Sequence, residues 1–169
     1  MFEASSQRNI ERCYVDTGHP YEKAAAAFEA SIGRLELRTA EALEARNTPW
    51  AEVEVEMARM AGPAGLMLFA KFEQGAVASL AGRRIRCGLY LVGNPAVATR
   101  IVRIDVRASL YVPFRVALYE PREQAAAVLS FDRPSSFLGL FEQPEMREIG
   151  LMLDAEIDAV MKKVQQAAG

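Results

Sequence analysis

The stretch LYLVGNPAVATRIV, residues 89–102, runs from an apolar segment into Gly93-Asn94-Pro95 and then changes character. A helix starting at such a junction aims free N–H groups and the positive end of its dipole at whatever lies before it, which suits a phosphate or a carboxylate. Asn94, Thr99 and Arg100 are then the candidate ligand-binding residues. Arg100, Arg103 and Arg107 share one face if the segment is helical, and Arg83, Arg84 and Arg86 are near in sequence. A dinucleotide fingerprint needs two further glycines at fixed offsets and a phosphate loop needs Gly-Lys-Ser/Thr; GNPAVAT has neither. The simpler account makes Asn94 the helix cap, Pro95 the first helical residue and Gly93 the turn. An arginine stripe is ordinarily the wet face of a helix, and Asp105 can neutralise this one locally.

A nucleophilic cysteine needs a base beside it, and the sole histidine, His19, is six residues from Cys13. Cys13 reads as part of a strand and His19 lies beyond its end, about 20 Å along extended chain, so the two do not make a catalytic pair. Cys13 and Cys87 form no CxxC pair and read as reduced thiols. A zinc site of three or four Cys and His ligands would have to recruit all of those residues in the chain, and no metal is expected.

These residues must be positioned by a chain of 169 residues, a length that fits one domain with one hydrophobic core. Half the residues are apolar and a quarter charged, which argues against disorder and against repeat arrays. The net charge of −2 supplies no global basic footprint, so nucleic acid is not an expected partner. The N-terminus lacks the apolar core of a signal peptide, and no run reaches the roughly 20 apolar residues that span a bilayer, so a soluble cytoplasmic protein is expected, with no membrane partner.

Residues 10–17 read as a short strand ended by Gly18, and a helix is expected to begin at Pro20. Ala24, Phe28, Ile32 and Leu35 recur at helical steps, and the pattern continues through Leu43 to Asn47. Thr48-Pro49 starts another helix over about 49–60. GPAG at 62–65 is a turn, LMLFAKF a buried strand, GAVASLAG a helix, and RIRCGLYLVGN a strand. Residues 100–110 fit both a strand and a helix by periodicity. PFRVALYE and AAVLSFD flank PREQ as an antiparallel hairpin, and residues 145–167 close the chain with an amphipathic helix whose Asp154, Glu156 and Asp158 precede Lys162 and Lys163.

The order YVDTGHPYEKAAAAFEASI, GLMLFAKFEQ, LYLVGNP, LYVPFRVALYE and LSFDRPSSF resembles the bacterial family known as domain of unknown function 302. The matching places are Gly65 to Ala70, Gly93 to Pro95, Val112-Pro113 and Glu120, over about residues 12–140. The resemblance implies one α+β domain, a curved, mainly antiparallel sheet with helices packed on one face in a topology like that of the TATA-binding protein, and often a homodimer. It favours helix over 100–110 and makes 36–64 an insertion carrying an extra helix. Where family members commonly carry Asp-His after the Phe-Ala strand, this chain has Glu73-Gln74, so Glu73 and Gln74 become candidate ligand-binding residues. Chemistry requiring that imidazole is absent here. The acid that often precedes Leu-Pro is replaced by Tyr111.

The resemblance implies no activity, and the cofactor is unknown. An apolar-rich chain without a catalytic set points to a non-catalytic dimeric module for a small apolar or amphipathic ligand, with Val102, Val106 and Leu110 turned away from the core. The alternatives are an enzyme using Glu73, Asn94 and Arg100 on a small anionic substrate, and a protein-interaction scaffold working through 36–64.

Overall fold

The structure is a computed structural model that describes residues 9–122 and 125–167. Along the chain come β1 (Arg12–Asp16), α1 (Tyr21–Ser31), β2 (Gly33–Arg34), α2 (Leu37–Ala45), α3 (Trp50–Ala61), β3 (Met67–Phe72) and α4 (Gln74–Ser79). They are followed by β4 (Cys87–Gly93), α5 (Pro95–Ile104), a 3₁₀ turn over Val106–Tyr111, β5 (Phe114–Tyr119), β6 (Val128–Asp132), α6 (Pro134–Leu138) and α7 (Pro144–Gln165). The strands form one open sheet in the order β1-β6-β5-β4-β3-β2. Neighbours run antiparallel except β2 and β3, which are parallel. This is the mixed α+β domain implied by the family resemblance.

Strict alternation in the strands decides which face is covered. In β5, Phe114, Val116 and Leu118 are buried while Arg115 is exposed and Ala117 and Tyr119 are half-buried. Tyr90 and Val92 of β4, and Leu129 and Phe131 of β6, join them in the core. The cover comes from Ala24 and Phe28 of α1 and from Ile149, Leu153, Ile157, Val160 and Val164 of α7. Those α7 residues recur at three- and four-residue steps, so one stripe of the helix is buried. Phe28 meets Tyr90 edge to face, with ring centres 5.1 Å apart.

A second, smaller cluster joins Leu43 of α2 and Met57, Met60 and Ala61 of α3 to Met67. Met67 falls between Leu66 and Leu68, both in the main core, so alternation turns it to the other side of β3. The segment 36–64 thus folds as a helical pair seated on the β3 end of the sheet, where the sequence led us to expect one extra helix.

The first helix is shorter than its periodicity implies. It ends at Ser31, and the backbone runs extended through Ile32 and β2 before α2 starts at Leu37. The amide of Gly33 donates to the carbonyl of Leu66 at 2.8 Å, and that of Leu35 to the carbonyl of Leu68 at 3.0 Å. Pairing with β3 therefore overrides the helical period that runs through Leu35 to Leu43. Residues 100–110 resolve as helix to Ile104 and then as the 3₁₀ turn, with Asp105 accepting from the Arg107 amide at 2.9 Å. The hairpin expected around PREQ is present as the β5–β6 pair, although Glu123 and Gln124 lie outside the described residues.

Asp154, Glu156 and Asp158 of α7 do more than complement a dipole. Asp154 is buried and accepts the Ser135 amide at 3.0 Å, which satisfies a free N–H at the start of α6. Asp158 pairs with Arg133 at 3.1 Å, and Arg133 also reaches Glu11 at 3.4 Å. Glu156 packs against Gly65 in the turn before β3.

Candidate ligand-binding site

Helices α1 and α7 cover one face of the sheet, and on the other face β1, β6, β5 and β4 present Arg12, Tyr14, Ser130, Asp132, Arg115, Ala117, Tyr119, Leu89 and Leu91. Two hollows of about 330 and 320 Å³ lie on this face and meet at Arg115 and Asp132. The first is walled by Ile10, Leu91 and Pro113, and by Leu110 and Tyr111 of the 3₁₀ turn, which folds over the end of the sheet. Tyr111 is held from behind by Phe137, stacked at 5.3 Å, and by Phe141 edge-on at 6.0 Å. The wall is therefore a packed surface, and the site sits on strands and a braced turn.

Charge in these hollows is uneven. Arg12 and Asp132 are direct cross-strand partners and bind in a two-pronged pair, with Nε to Oδ1 at 2.8 Å and Nη2 to Oδ2 at 3.2 Å. The bonds to Asp132 hold the Arg12 guanidinium above its ordinary pKa. Asp132 is thereby neutralised, while Arg115, directly opposite Leu91 in the sheet, has no ion pair with any described residue. One uncompensated guanidinium set among apolar walls is an arrangement that fits a carboxylate or sulfonate on an apolar body.

The residues named from the sequence are placed elsewhere. Asn94 caps α5: its Oδ1 accepts the Ala96 amide at 3.0 Å, and its Nδ2 donates to the Gly65 carbonyl at 2.9 Å. Thr99 donates to the Pro95 carbonyl at 2.9 Å, and Arg100 reaches out to Glu145 at 3.8 Å. Glu73 and Gln74 stand at the start of the short α4. Glu73 and Asn94 lie at opposite ends of the β3–β4 pair, because Phe72 faces Leu89 and Met67 faces Gly93. That is a span of about 17 Å at strand rise, and the structure does not bring Glu73 together with Asn94, Thr99 and Arg100.

Glu73 belongs instead to a polar group between α1 and the sheet. Lys71 Nζ bonds Glu29 at 2.8 Å and Glu73 at 2.5 Å, and the Tyr90 hydroxyl donates to Glu29 at 3.2 Å. Burial pulls the Lys71 ammonium down, but its bonds to the two carboxylates outweigh this and keep it firmly charged. Burial pushes the Tyr90 phenol up, and burial plus the nearby Glu73 charge does the same to Tyr21. With both carboxylates tied to one ammonium, the group holds α1 on the sheet. Cys13 and Cys87 are both free thiols. The described residues hold no group of three His, Cys, Asp or Glu side chains placed for a metal ion.

Glu156 is half-buried beside Gly65, and one of its oxygens has no hydrogen-bond partner among the described residues. Burial pushes its carboxyl up to about 7. A carboxyl raised in the folded state costs stability as pH climbs from its unfolded value of about 4.5 to its folded one, and the cost is complete above that. Glu156→Gln is expected to stabilise the protein at pH 8 by about 1–2 kcal/mol, after discounting for the half that solvent reaches, and to do nothing at pH 4. Urea melts of both proteins at the two pH values check this; equal midpoints at pH 8 would contradict it.

No helix among the described residues is long and apolar enough to cross a membrane. Among curated proteins none matches this chain. In shape it is similar to the crystal structure of an uncharacterized conserved DUF302 protein from Bacillus stearothermophilus, with a TM-score of 0.63 at 14% identity over 90% of this chain and 97% of that one. The family "Domain of unknown function DUF302" matches residues 41–165, a span that takes in most of 36–64 and ends with α7. With about three quarters of its length so matched, the chain belongs to the DUF302 family.

Proposed function

We propose that this protein is a non-catalytic, dimeric binding module that holds a small amphipathic anion on its open sheet face. The apolar body of the ligand lies against Leu91, Leu110 and Pro113, and its acid group meets Arg115. The observation that carries this reading is Arg115 between apolar walls, without an ion pair among the described residues and beside an Asp132 already neutralised by Arg12. The alternative of an enzyme on a small anionic substrate would need Glu73, Asn94 and Arg100 to act together, and Glu73 and Asn94 stand at opposite ends of the β3–β4 pair. Native mass spectrometry of the purified chain, with its absorption spectrum, tests the reading: a dimer carrying the mass of a small organic acid is expected, and a bare monomer that takes up no added dodecanoate would refute it.

The dimer rests on the rim of the same hollow. Val106 and Leu110 are 71% and 80% exposed on the 3₁₀ turn, and a second copy would cover them. Val106→Glu is expected to shift sedimentation from dimer to monomer, or to empty the ligand site, with circular dichroism unchanged. Unchanged sedimentation together with unchanged ligand occupancy would remove the dimer and its link to the site.

A scaffold reading has one observation in its favour. Leu37, Trp50 and Val55, all within 36–64, are exposed, and the groove between α2 and α3 includes Leu43, Ala51 and Val55.

A further inference from the structure

The far end of the sheet carries a cleft of about 350 Å³ lined by Arg83, Arg84, Arg86, Glu120 and Arg122. We infer that this cleft is a second site, one that binds the phosphate group of a small phosphorylated molecule. Of its four guanidinium groups, that of Arg86 is the one with ion pairs among the described residues: it binds Glu22 at 2.6 Å and Glu120 at 3.3 Å. Arg83, Arg84 and Arg122 are exposed and have no ion pair with any described residue. Among the described residues, four guanidinium groups against two carboxylates leave a surplus of two positive charges at one cleft of a protein whose net charge is −2, so an anion there relieves mutual repulsion. Planar guanidinium groups match the paired oxygens of phosphate, and a cleft of this size admits a phosphate with a small organic remainder.

The segment that presents the arginines is fixed in place. The Ile85 amide donates to Ser79 Oγ at 2.8 Å, and Ser79 Oγ donates to the Gly75 carbonyl at 2.7 Å. The segment is seated so closely on α4 that a Cβ on Gly75 would stand 2.5 Å from the Ile85 carbonyl oxygen. The Glu120 amide donates to the Arg86 carbonyl at 3.0 Å, which joins the two sides of the cleft. Arg115 lies five residues up β5 from Glu120, about 17 Å away, so this site is separate from the one on the open face.

The test is a ¹H–¹⁵N NMR titration of the full chain with inorganic phosphate and, separately, with glycerol 3-phosphate, both at constant ionic strength. Saturable shifts confined to residues 82–87 and 120–122 are expected. The Arg83→Ala/Arg84→Ala double variant should weaken binding at least tenfold, while Arg107→Ala, an exposed arginine paired with Asp105, should leave it unchanged. Tighter binding of the ester identifies a phosphorylated metabolite as the source, and equal binding identifies free phosphate; either upholds a phosphate site. Shifts that rise linearly without saturation, or that persist at full strength in the double variant, would overturn it.

Discussion

Gly33→Ala is expected to be the most damaging single-methyl change in the protein. A Cβ at Gly33 would stand 1.9 Å from the Met60 carbonyl oxygen and 2.9 Å from the backbone of Ala61, so it meets the end of α3 and no flexible side chain can yield. Gly33 also donates to Leu66 from within β2, so the strand cannot move aside without giving up its pairing with β3. Overpacking commonly costs about 1–3 kcal/mol, and a clash of backbone with backbone lies at the upper end or beyond it. About 3 kcal/mol in a chain of this length corresponds to a melting temperature lower by roughly 6–12 °C. Gly139 is the control: nothing lies within 4 Å of its added Cβ and its φ is −60°, so Gly139→Ala is expected to be neutral or mildly stabilising. Thermal melts that place Gly33→Ala within 2 °C of the parent would show that α3 does not pack against β2 as described.

The second large effect is on the open face. Arg115→Glu reverses the one charge in the hollows that has no ion pair among the described residues, leaving a carboxylate near the paired Arg12–Asp132 couple in place of the guanidinium that receives an anionic head group. Loss of a charged hydrogen bond together with a new like-charge contact is worth about 1.5–3 kcal/mol, or roughly 10- to 150-fold in affinity for dodecanoate. Because Arg115 is exposed and its inward neighbours Phe114 and Val116 are untouched, the melting temperature should stay near that of the parent. Calorimetric titration measures the change, and equal affinity in both proteins would take Arg115 out of the site.

Much of the fold was legible in the sequence, and much of the site was not. Pro95 after Asn94 marks a helix start by local chemistry, and the side-chain bond from Asn94 to the Ala96 amide is the cap that this chemistry implies. The strand FRVALY alternates cleanly, which announces that Arg115 points away from the core. What alternation cannot announce is the neighbour across the sheet. Arg115 becomes a candidate only once register places it opposite Leu91, and once Asp132 is seen to be taken by Arg12. Glu73 shows the converse. It was singled out by its position in the family pattern, yet its charge is bound by Lys71 two residues earlier, a partner that strand periodicity puts on the same face. The strand at Gly33–Arg34 escaped a reading by period because two residues are too few to show one, and its pairing with β3 is made across more than thirty residues of chain.

The most direct test of the central claim is a ¹H–¹⁵N NMR titration of the full chain with dodecanoate, kept below its micelle concentration, and in parallel with dodecyltrimethylammonium. The account predicts saturable shifts at Leu89, Leu91, Arg115 and Ala117 with the anion and none there with the cation. Equal response to both, or shifts centred on the groove between α2 and α3, would contradict an anion site on the open sheet face and would move the function to α2 and α3.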